Sequence, residues 1–349
     1  MVMREEGSLR KAARTAREPV EDSDLAARAA WLHYAGGMTQ SAIAARFGIP
    51  TTRAHRMIAR AAKDGLVRVF VDAEVSTCIS LETTLTQRYG LANCTVVPDL
   101  GETGPIPLRA LGLAGASFLM GLLERRDHEV IGVGHGRTMA SMVDMMPLYE
   151  AGGARFVSIL GGLTRKFAAN PYDVIHRLAE KTGAEAYLMP APMFVNTPED
   201  RNIMLAQAGL VEIMKTIEAA TVCILGIGAV DMSGSVAHAN VFDSETSLRE
   251  LRRQGACAEV LGQFLDSDGR SISTPYDGRV MAPDLETLRG REVYAVAGGA
   301  QKVAALNAAL ASGLFTGLIT DEATADRLVR DSGKDDRKKR KKTAGANDP

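Results

Sequence analysis

The sequence has little of what builds disulfides, metal sites or membrane spans. Its six histidines form no HxH or HExxH group, and its four cysteines form no CxxC pair, being scattered at Cys78, Cys94, Cys223 and Cys257. Scattered cysteines are typical of reduced thiols in a cytosolic protein, so we expect neither a disulfide nor a bound metal. No apolar run is long enough to cross a membrane, and the charged N-terminus leads into no signal-peptide core. We therefore expect a cytoplasmic protein with no membrane partner.

An excess of charge is absent as well. The chain has 41 Lys and Arg against 42 Asp and Glu, which gives a net charge of −1. Any affinity for nucleic acid must therefore come from local clustering of basic residues. A length of 349 residues with 46% hydrophobic side chains allows two or three domains with a substantial core.

Basic residues do cluster in one run near the N-terminus, which reads TQSAIAARFGIPTTRAHRMIARAAKDG. Its apolar spacing predicts a helix over Gln40–Phe47, a turn at Gly48 and a second helix that starts at Pro50 or Thr51. Ala44 is small where two helices must cross closely, and glycine tolerates the positive φ that such a turn often needs. The run is therefore typical of a helix-turn-helix.

The second helix of this module has one apolar face and one polar face. A short exposed helix with Thr, Arg and His near its N-terminal end suits the major groove of DNA. A local excess of basic side chains in a near-neutral chain favours the same interpretation, and a solvated helical hairpin is the alternative. The predicted DNA contacts are Thr51, Thr52, Arg53, His55, Arg56 and Arg60.

Composition and periodicity divide the chain into five segments. Residues 1–23 are charged and Ala-rich and are expected to form a disordered arm. Residues 24–72 form the DNA-binding domain, which ends in a wing-like strand, and residues 73–92 form a linker helix that helps dimerisation. Residues 93–331 form an effector-binding α/β domain. Residues 332–349 are expected to form a disordered basic tail that aids solubility, with non-specific phosphate binding as the alternative.

Short apolar β-runs alternate with helical stretches in the α/β segment. The expected strands are Cys94–Val97, Val130–Val133, Phe156–Leu160, Ala186–Met189, Val222–Ile227, Val293–Ala297 and Leu318–Thr320. The expected helices between them are Leu108–Arg125, Met139–Met146, Tyr172–Lys181, Glu199–Lys215, Glu245–Gln254 and Gln301–Ala311. Continuous β-runs that alternate with helices predict a doubly wound, mostly parallel sheet.

The clearest single motif is the run EVIGVGHGRTMASM, which starts at Glu129. A short strand leads into alternating glycines, and helical spacing begins at Thr138. Glycines after a strand let backbone N–H groups approach a ligand, and the N-terminus of the next helix favours negative charge. Arg137 adds a guanidinium suited to phosphate. The run predicts a seat for a phosphate or a polyhydroxylated anion. A tight strand-to-helix connection is the alternative, since the run is neither a Walker loop nor GxGxxG.

Four glycine-marked loops follow predicted strands. In an open parallel sheet the ligand crevice lies at the carboxyl ends of the strands, near the point where the winding reverses. The loops would bring Arg137, Arg165 with Lys166, Asp231 and Lys302 around one crevice. A cation in the first turn of a helix opposes the helix dipole, which favours a ligand-facing role for Lys302 over a solvated lysine.

The order of these parts resembles the SorC family of sugar-responsive bacterial transcriptional regulators, from about Leu25 to Val329. The resemblance rests on TQSAIAARFGIP and DGLVRV in the N-terminal module, on GVGHGRT, LGG and GIG, and above all on AGGAQKVAAL and GLITDEATADRLV. Within the family, HYAGGMTQ, HGRT and TRKFAANPYDVIHRLAEKTGAEAY are most similar to regulators of erythritol-type polyol catabolism.

The resemblance implies an effector domain similar to sugar-phosphate isomerase and glucosamine-phosphate deaminase folds. It also implies a homodimer or homotetramer on operator DNA, a sugar phosphate or polyol as effector, and no cofactor. Gly134, Arg137 and Thr138 would hold the phosphate or a terminal hydroxyl, and Glu259 and Lys302 would contact hydroxyls or a second anion. The full set of expected effector contacts is Gly134, His135, Gly136, Arg137, Thr138, Gly161, Gly162, Arg165, Asn170, Asp231, Glu259 and Lys302.

The chain departs from the family pattern in two respects, at His135 and at Pro50 with Ala54. His135 stands where a tryptophan is common, so hydroxyl recognition is expected to differ. Pro50 and Ala54 stand where serine and valine are usual, so the operator sequence cannot be carried over. Asp231 stands where the isomerase-like relatives keep a catalytic carboxylate.

Two functions compete on this basis. The first is a DNA-binding regulator, expected to be a repressor, of a carbohydrate or polyol catabolic operon, with operator affinity controlled by the bound effector. The alternative is a sugar-phosphate isomerase- or deaminase-type enzyme with an accessory DNA-binding module. An enzyme needs a positioned base, and Asp231 or Glu259 could serve. However, MSGSV follows Asp231 with no acidic neighbour, so we expect a regulator without catalytic residues.

Overall fold

The computed structural model of the protein describes residues 24–64, 66–67, 76–162, 174–231 and 245–331. The chain divides into two compact units, residues 1–73 and residues 74–349. No helix among the described residues is both long enough and apolar enough to span a membrane. The predicted arm, the basic tail and most of the predicted wing strand lie outside the described residues.

The N-terminal unit contains three helices around a small apolar core. Helix α1 covers 24–34, α2 covers Gln40–Phe47 and α3 covers Thr51–Lys63. The bounds of α2 and the start of α3 coincide with the prediction. The core is formed by one face of each helix and includes Ala26, Ala29, Ala30, Ile43, Ala44, Ala54, Met57, Ile58 and Ala61.

Local chemistry fixes both ends of α2. The hydroxyl of Thr39 accepts the N–H of Ala42 at 3.2 Å, so it caps the helix start. Gly48 adopts φ 63° and ends the helix in the left-handed region, which glycine enters at little cost. The N–H of Ile49 then donates to the carbonyl of Ala44 at 3.0 Å. The turn between α2 and α3 is therefore specified by its own residues.

The C-terminal unit alternates strands and helices. Its helices are α4 (Ser76–Tyr89), α5 (Leu108–Arg125), α6 (Arg137–Met145), α7 (Ile175–Thr182), α8 (Pro198–Leu205), α9 (Ala208–Ala219), α10 (Glu245–Arg253), α11 (Val303–Ala311) and α12 (322–331). Its strands are β1 (Asn93–Val97), β2 (Val130–Val133), β3 (Arg155–Ser158), β4 (Ala186–Tyr187), β5 (Val222–Leu225), β6 (Gly228–Ala229), β7 (Ala258–Val260), β8 (Gln263–Leu265), β9 (Glu292–Val296) and β10 (Gly317–Asp321). Short 3₁₀ turns cover Leu285–Leu288 and Ala300–Lys302.

Seven strands form one parallel sheet in the order β1-β10-β9-β5-β2-β3-β4. The central strands β2 and β5 are buried along their whole length, as expected when helices cover both faces of a parallel sheet. The predicted α/β fold is confirmed. Chain order runs outward from β2 through β3 to β4 on one side and starts again at β5 on the other. The winding therefore reverses between β2 and β5, where a ligand crevice is expected.

A second, three-stranded antiparallel sheet, β6-β7-β8, has no counterpart in the prediction. Its strands are two or three residues long, too short to show an alternating pattern.

The predicted helix Glu199–Lys215 was also wrong in one respect, because it is two helices, α8 and α9. Pro198 and the Thr197 cap start α8, and Gln207 takes an extended conformation before α9. Apolar spacing that continues across such a break conceals it.

Candidate effector cavity and DNA-reading helix

Strand β2 approaches its neighbour more closely than a side chain on Gly132 would allow, and the loop after it leads directly into α6. A Cβ on Gly132 would lie 2.9 Å from the Cys223 sulfur. Gly136 has φ 126°, a conformation that L side chains rarely adopt, and directly precedes α6. No side chain of the described residues caps α6. The first turn of a helix presents backbone N–H groups and a positive dipole end, so this end of α6 suits an anion.

A small cavity opens at this point, between the ends of β2 and β5. Its position matches the crevice expected from the reversal of winding. Loops from both sides of the reversal, from β7 and from the start of α11 contribute to its walls. The lining residues are Gly134, His135, Gly136, Arg137, Thr138, Met139, Leu160, Met193, Gly226, Ile227, Gly228, Glu259, Leu261 and Lys302.

Lys302 lies in the cavity wall with only 7% of its surface exposed. Its Nζ donates to the carbonyl of Ile227 at 2.7 Å. Burial, together with the positive charge of Arg137, lowers the pKa of Lys302 from 10.5 to about 8, against the opposing effect of Glu259 and Asp231. A buried cation at a cavity wall is stabilised when an anionic or hydroxyl-bearing ligand binds beside it.

Glu259, in β7, is the carboxylate of the cavity and is equally buried. Burial raises the pKa of Glu259, while the Gly262 N–H that donates to Oε1 at 2.6 Å and the nearby Lys302 act in the opposite direction. A Cβ on Gly228 would lie 2.2 Å from Oε2, so a larger residue at this position would displace the Glu259 carboxylate. Its oxygens are suited to accept hydrogen bonds from hydroxyls.

His135 connects the cavity to the end of β3. Its Nε2 lies 2.9 Å from the carbonyl of Leu160 and 2.9 Å from Oγ of Ser158. A carbonyl only accepts, so Nε2 carries the hydrogen. The ring is therefore held in one orientation at the wall of the cavity.

Two residues that the prediction did not assign to the site hold the loop before Lys302. Asp321 ends β10, and its carboxylate accepts both the N–H and the hydroxyl of Thr324, at 2.9 and 2.6 Å. The N–H of Gly299 donates to the hydroxyl of Thr324 at 2.7 Å and to Asp321 at 3.2 Å. A Cβ on Gly298 would lie 2.1 Å from Asp321 Oδ2. The sequence signal was the run TDEAT, which has the spacing of a helix cap.

The structure places ten of the twelve expected effector contacts. Seven line the cavity, namely Gly134, His135, Gly136, Arg137, Thr138, Glu259 and Lys302. Asp231 is half-buried and close enough to raise the pKa of Lys302, but it is not in the cavity wall. Arg165 and Asn170 lie outside the described residues.

The remaining two, Gly161 and Gly162, do not line the cavity. Gly161 donates its N–H to the Met281 carbonyl at 2.9 Å, and Gly162 donates to the Ala191 carbonyl at 2.7 Å. A Cβ on Gly161 would lie 2.5 Å from the carbonyl oxygen of Pro192. The structure therefore gives this glycine pair a role in backbone packing.

Among the described residues, no three His, Cys, Asp or Glu side chains are placed to hold a metal ion. The cavity lining offers a ligand two cations, the Glu259 carboxylate, the Thr138 hydroxyl and backbone N–H groups.

In the N-terminal unit, α3 buries one face and exposes the other. Ala54, Met57, Ile58 and Ala61 are buried. All six predicted DNA contacts are exposed, as are Ala59, Ala62 and Lys63; the six are Thr51, Thr52, Arg53, His55, Arg56 and Arg60. Arg60 also pairs with Asp64 at 3.2 Å, an exposed ion pair of the kind that contributes little to stability.

Both parts of the chain are similar to proteins of known class. The family model described as "Putative sugar-binding domain" matches residues 73–330. The erythritol catabolism regulatory protein EryD of Brucella abortus is 48% identical over 308 residues, which cover 88% of this chain and 97% of that protein. The transcriptional regulator LsrR of Klebsiella pneumoniae is 30% identical over 316 residues, which cover 88% and 93%.

A solved structure shows the same architecture. The full-length sorbitol operon regulator SorC from Klebsiella pneumoniae matches with a TM-score of 0.65 and 25% identity, over 88% of this chain and 99% of that chain. All three relatives are named as regulators, and none is named as an enzyme.

The packing of the glycine pair yields a stability prediction. Gly161→Ala should lower the melting temperature by several degrees, because its Cβ would meet backbone oxygens at 2.5 and 2.8 Å. Overpacking of this kind typically costs about 1–3 kcal/mol. Gly162→Ala is the matched control, since its Cβ would be 3.7 Å from the nearest atom. Equal melting temperatures for the two variants, measured by calorimetry, would contradict the packing role.

Proposed function

The chain belongs to the SorC family of sugar-binding transcriptional regulators, and on this premise we propose that a small polyol or its phosphate binds in the cavity beside Lys302. The protein is a DNA-binding transcriptional regulator controlled by a sugar-binding domain, and not an enzyme. The observation that carries the proposal is the cavity at the reversal of winding. Two cations and a helix N-terminus meet a buried carboxylate there.

The chemistry of the cavity favours a polyhydroxylated ligand. The start of α6 with Arg137 and Lys302 offers donors for a phosphate or terminal hydroxyl, and Glu259 offers acceptors for other hydroxyls. A relative at 48% identity is named for erythritol catabolism, so we propose a four-carbon polyol, or its phosphate, as effector. We also propose that the protein is a repressor of a polyol catabolic operon and acts as a homodimer or homotetramer.

Effector binding must be coupled to the DNA-binding unit, and α4, which lies within the predicted linker helix, is the first helix of the effector unit. The hydroxyl of Tyr89, in α4, donates to Asn307 in α11. Arg88, also in α4, donates to the Leu328 carbonyl of α12 at 3.1 Å. Helix α11 starts one residue after Lys302, and α12 starts directly after Asp321. We therefore propose that α4 moves when effector binding shifts α11 and α12, the two helices whose starts flank the Lys302 loop.

The DNA-binding role predicts a loss of operator affinity when α3 loses a cation. Arg56→Ala should weaken binding to the operator by about 5- to 100-fold, the range for losing one specific base contact. Lys215→Ala is the matched control, because it removes the same charge from an exposed site on α9. Gel shifts at physiological salt measure both affinities. An unchanged affinity for Arg56→Ala would exclude α3 as the reading helix in this orientation.

The effector role predicts which compounds stabilise the protein. In thermal-shift assays with erythritol, erythritol phosphate and longer polyols and their phosphates, a four-carbon compound should raise the melting temperature most, since a ligand selective for the folded state stabilises it. Lys302→Met should lose this shift, while Lys215→Met should keep it. If Lys302→Met keeps the full shift in melting temperature, Lys302 does not contribute to effector binding.

The pH dependence of this assay distinguishes a phosphate from a free polyol. Lys302 has a pKa of about 8 in the folded chain against 10.5 for an ordinary lysine, so its charge is lost as pH rises through 8. Affinity for a phosphate should therefore fall between pH 7 and 9, whereas affinity for a neutral polyol should change little. Without ligand, the unfolded chain binds more protons between pH 8 and 10.5, so Lys302 makes stability rise with pH over that range.

The coupling role of α4 predicts a variant that binds both ligands but responds weakly. Tyr89→Phe removes only the hydroxyl that donates to Asn307, so the change in operator affinity caused by effector should shrink about 2- to 30-fold. Affinities for effector alone and for operator alone should stay near wild type. Thr84→Val is the control, because its hydroxyl bonds within α4 to Ser80. A full effector response in Tyr89→Phe would contradict this route.

A further inference from the structure

One hydrogen bond joins the two helices of the helix-turn-helix on their outward side. Nδ1 of His55, in α3, lies 3.1 Å from Oε1 of Gln40, in α2. His55 is exposed among the predicted DNA contacts, and Gln40 is half-buried beside it. The sequence interpretation assigned no role to Gln40.

The backbone on both sides of this bond is held in place. Gln40 is the first residue of α2 and directly follows the capping Thr39. His55 directly follows Ala54, which is fully buried in the core that α2 and α3 share. The two side chains therefore meet across a packed helix pair, and the bond lies on its outer surface.

The bond decides which ring nitrogen of His55 carries the hydrogen. An amide oxygen can only accept, so Nδ1 must donate. In a neutral imidazole, Nε2 then has a lone pair and no hydrogen. Gln40 therefore makes the outer nitrogen of His55 an acceptor.

An acceptor in the major groove distinguishes two classes of base. Adenine N6 and cytosine N4 present amino donors there, whereas guanine O6 and thymine O4 present acceptors at the corresponding places. A lone pair on Nε2 matches the first class and is repelled by the second. The preference belongs to the pair of residues, since His55 without Gln40 could adopt either tautomer.

We propose that Gln40 is a specificity-determining residue of the helix-turn-helix. It holds His55 as the Nδ1–H tautomer, so that the ring selects an amino-bearing base, adenine or cytosine, at one operator position. This rests on the proposed DNA-reading role of α3 and adds a residue that positions the reading group without touching the base.

The test uses the full-length protein and a pool of randomised duplex DNA at pH 8, where an ordinary imidazole is neutral. Bound sequences are selected with the wild type, His55→Ala, Gln40→Met, Gln40→Lys and Ser41→Ala. Ser41 is the exposed neighbour of Gln40 on α2, so Ser41→Ala is the matched control. Gel shifts then measure affinity for the selected operator and for its single-base variants.

The wild type should select adenine or cytosine at one position that His55→Ala no longer reads. Replacing that base by guanine or thymine, respectively, should weaken wild-type binding by about 5-fold or more. Gln40→Met should lose the preference at this same position only, and Ser41→Ala should keep it. An ammonium can only donate, so Gln40→Lys makes Nδ1 accept and should invert the preference towards guanine or thymine.

Three results would overturn the proposal. In the first, the wild type prefers guanine or thymine at the His55-dependent position. In the second, Gln40→Met keeps the wild-type preference. In the third, His55→Ala still reads every position that the wild type reads. A purely structural role for Gln40 would instead lower affinity evenly at every position, which also contradicts it. If the wild type selects no consensus sequence, the proposed DNA-reading role of α3 is wrong. This result is obtained with the wild type alone, so it is distinguishable from a failure of the Gln40 proposal.

Discussion

A lysine ammonium buried beside the reversal point of a parallel sheet is the constraint that organises the effector unit. Removing such a charge from water is costly, and the low pKa of Lys302 reflects that cost. The Ile227 carbonyl and the nearby carboxylates offset part of it. Part remains for a ligand to relieve, which is why a cavity built around this residue is suited to bind an anion or a set of hydroxyls.

Holding that ammonium in place requires close backbone approach on several sides. Gly228 leaves room for the Glu259 carboxylate, and Gly298 leaves room for Asp321. Asp321 and Thr324 in turn fix the N–H of Gly299, three residues before Lys302. The glycine-rich loops are therefore places where carboxylates pack directly on backbone. In these loops, a neighbouring carboxylate occupies the space that the Cβ of any other residue would take.

The two helices whose starts flank the Lys302 loop also receive the contacts of α4. Because Lys302 precedes α11 and Asp321 precedes α12, a ligand that moves the Lys302 loop acts on both helices at once. Tyr89 and Arg88 bond to those helices at Asn307 and Leu328. A rigid helix transmits displacement along its length more readily than a loop, so this arrangement suits a switch in which the sensing and the DNA-reading units are separate.

Much of the architecture could be predicted from the sequence. The β-runs at Val130–Val133 and Val222–Ile227, the helix Leu108–Arg125 and the two helices around Gly48 were recognised because burial and capping leave a local pattern of apolar spacing and turn residues. The short antiparallel strands and the break between α8 and α9 left no such pattern. The convergence of the loops after β2 and β5 followed from a general rule of parallel sheets, and so could be anticipated without coordinates.

The sequence by itself determined the helix-turn-helix, the alternation of strands and helices, and the glycine loops that carry Arg137 and Lys302. Each of these features depends on residues that are adjacent or periodically spaced in the chain. Only the tertiary structure decided that Gly161 packs against Pro192 while Gly134 lines the cavity, and that Asp321 supports the Lys302 loop. It alone also joined Gln40 to His55 and Tyr89 to Asn307. These pairs are 15 and 218 residues apart in the chain, and which distant groups meet depends on how the whole chain packs.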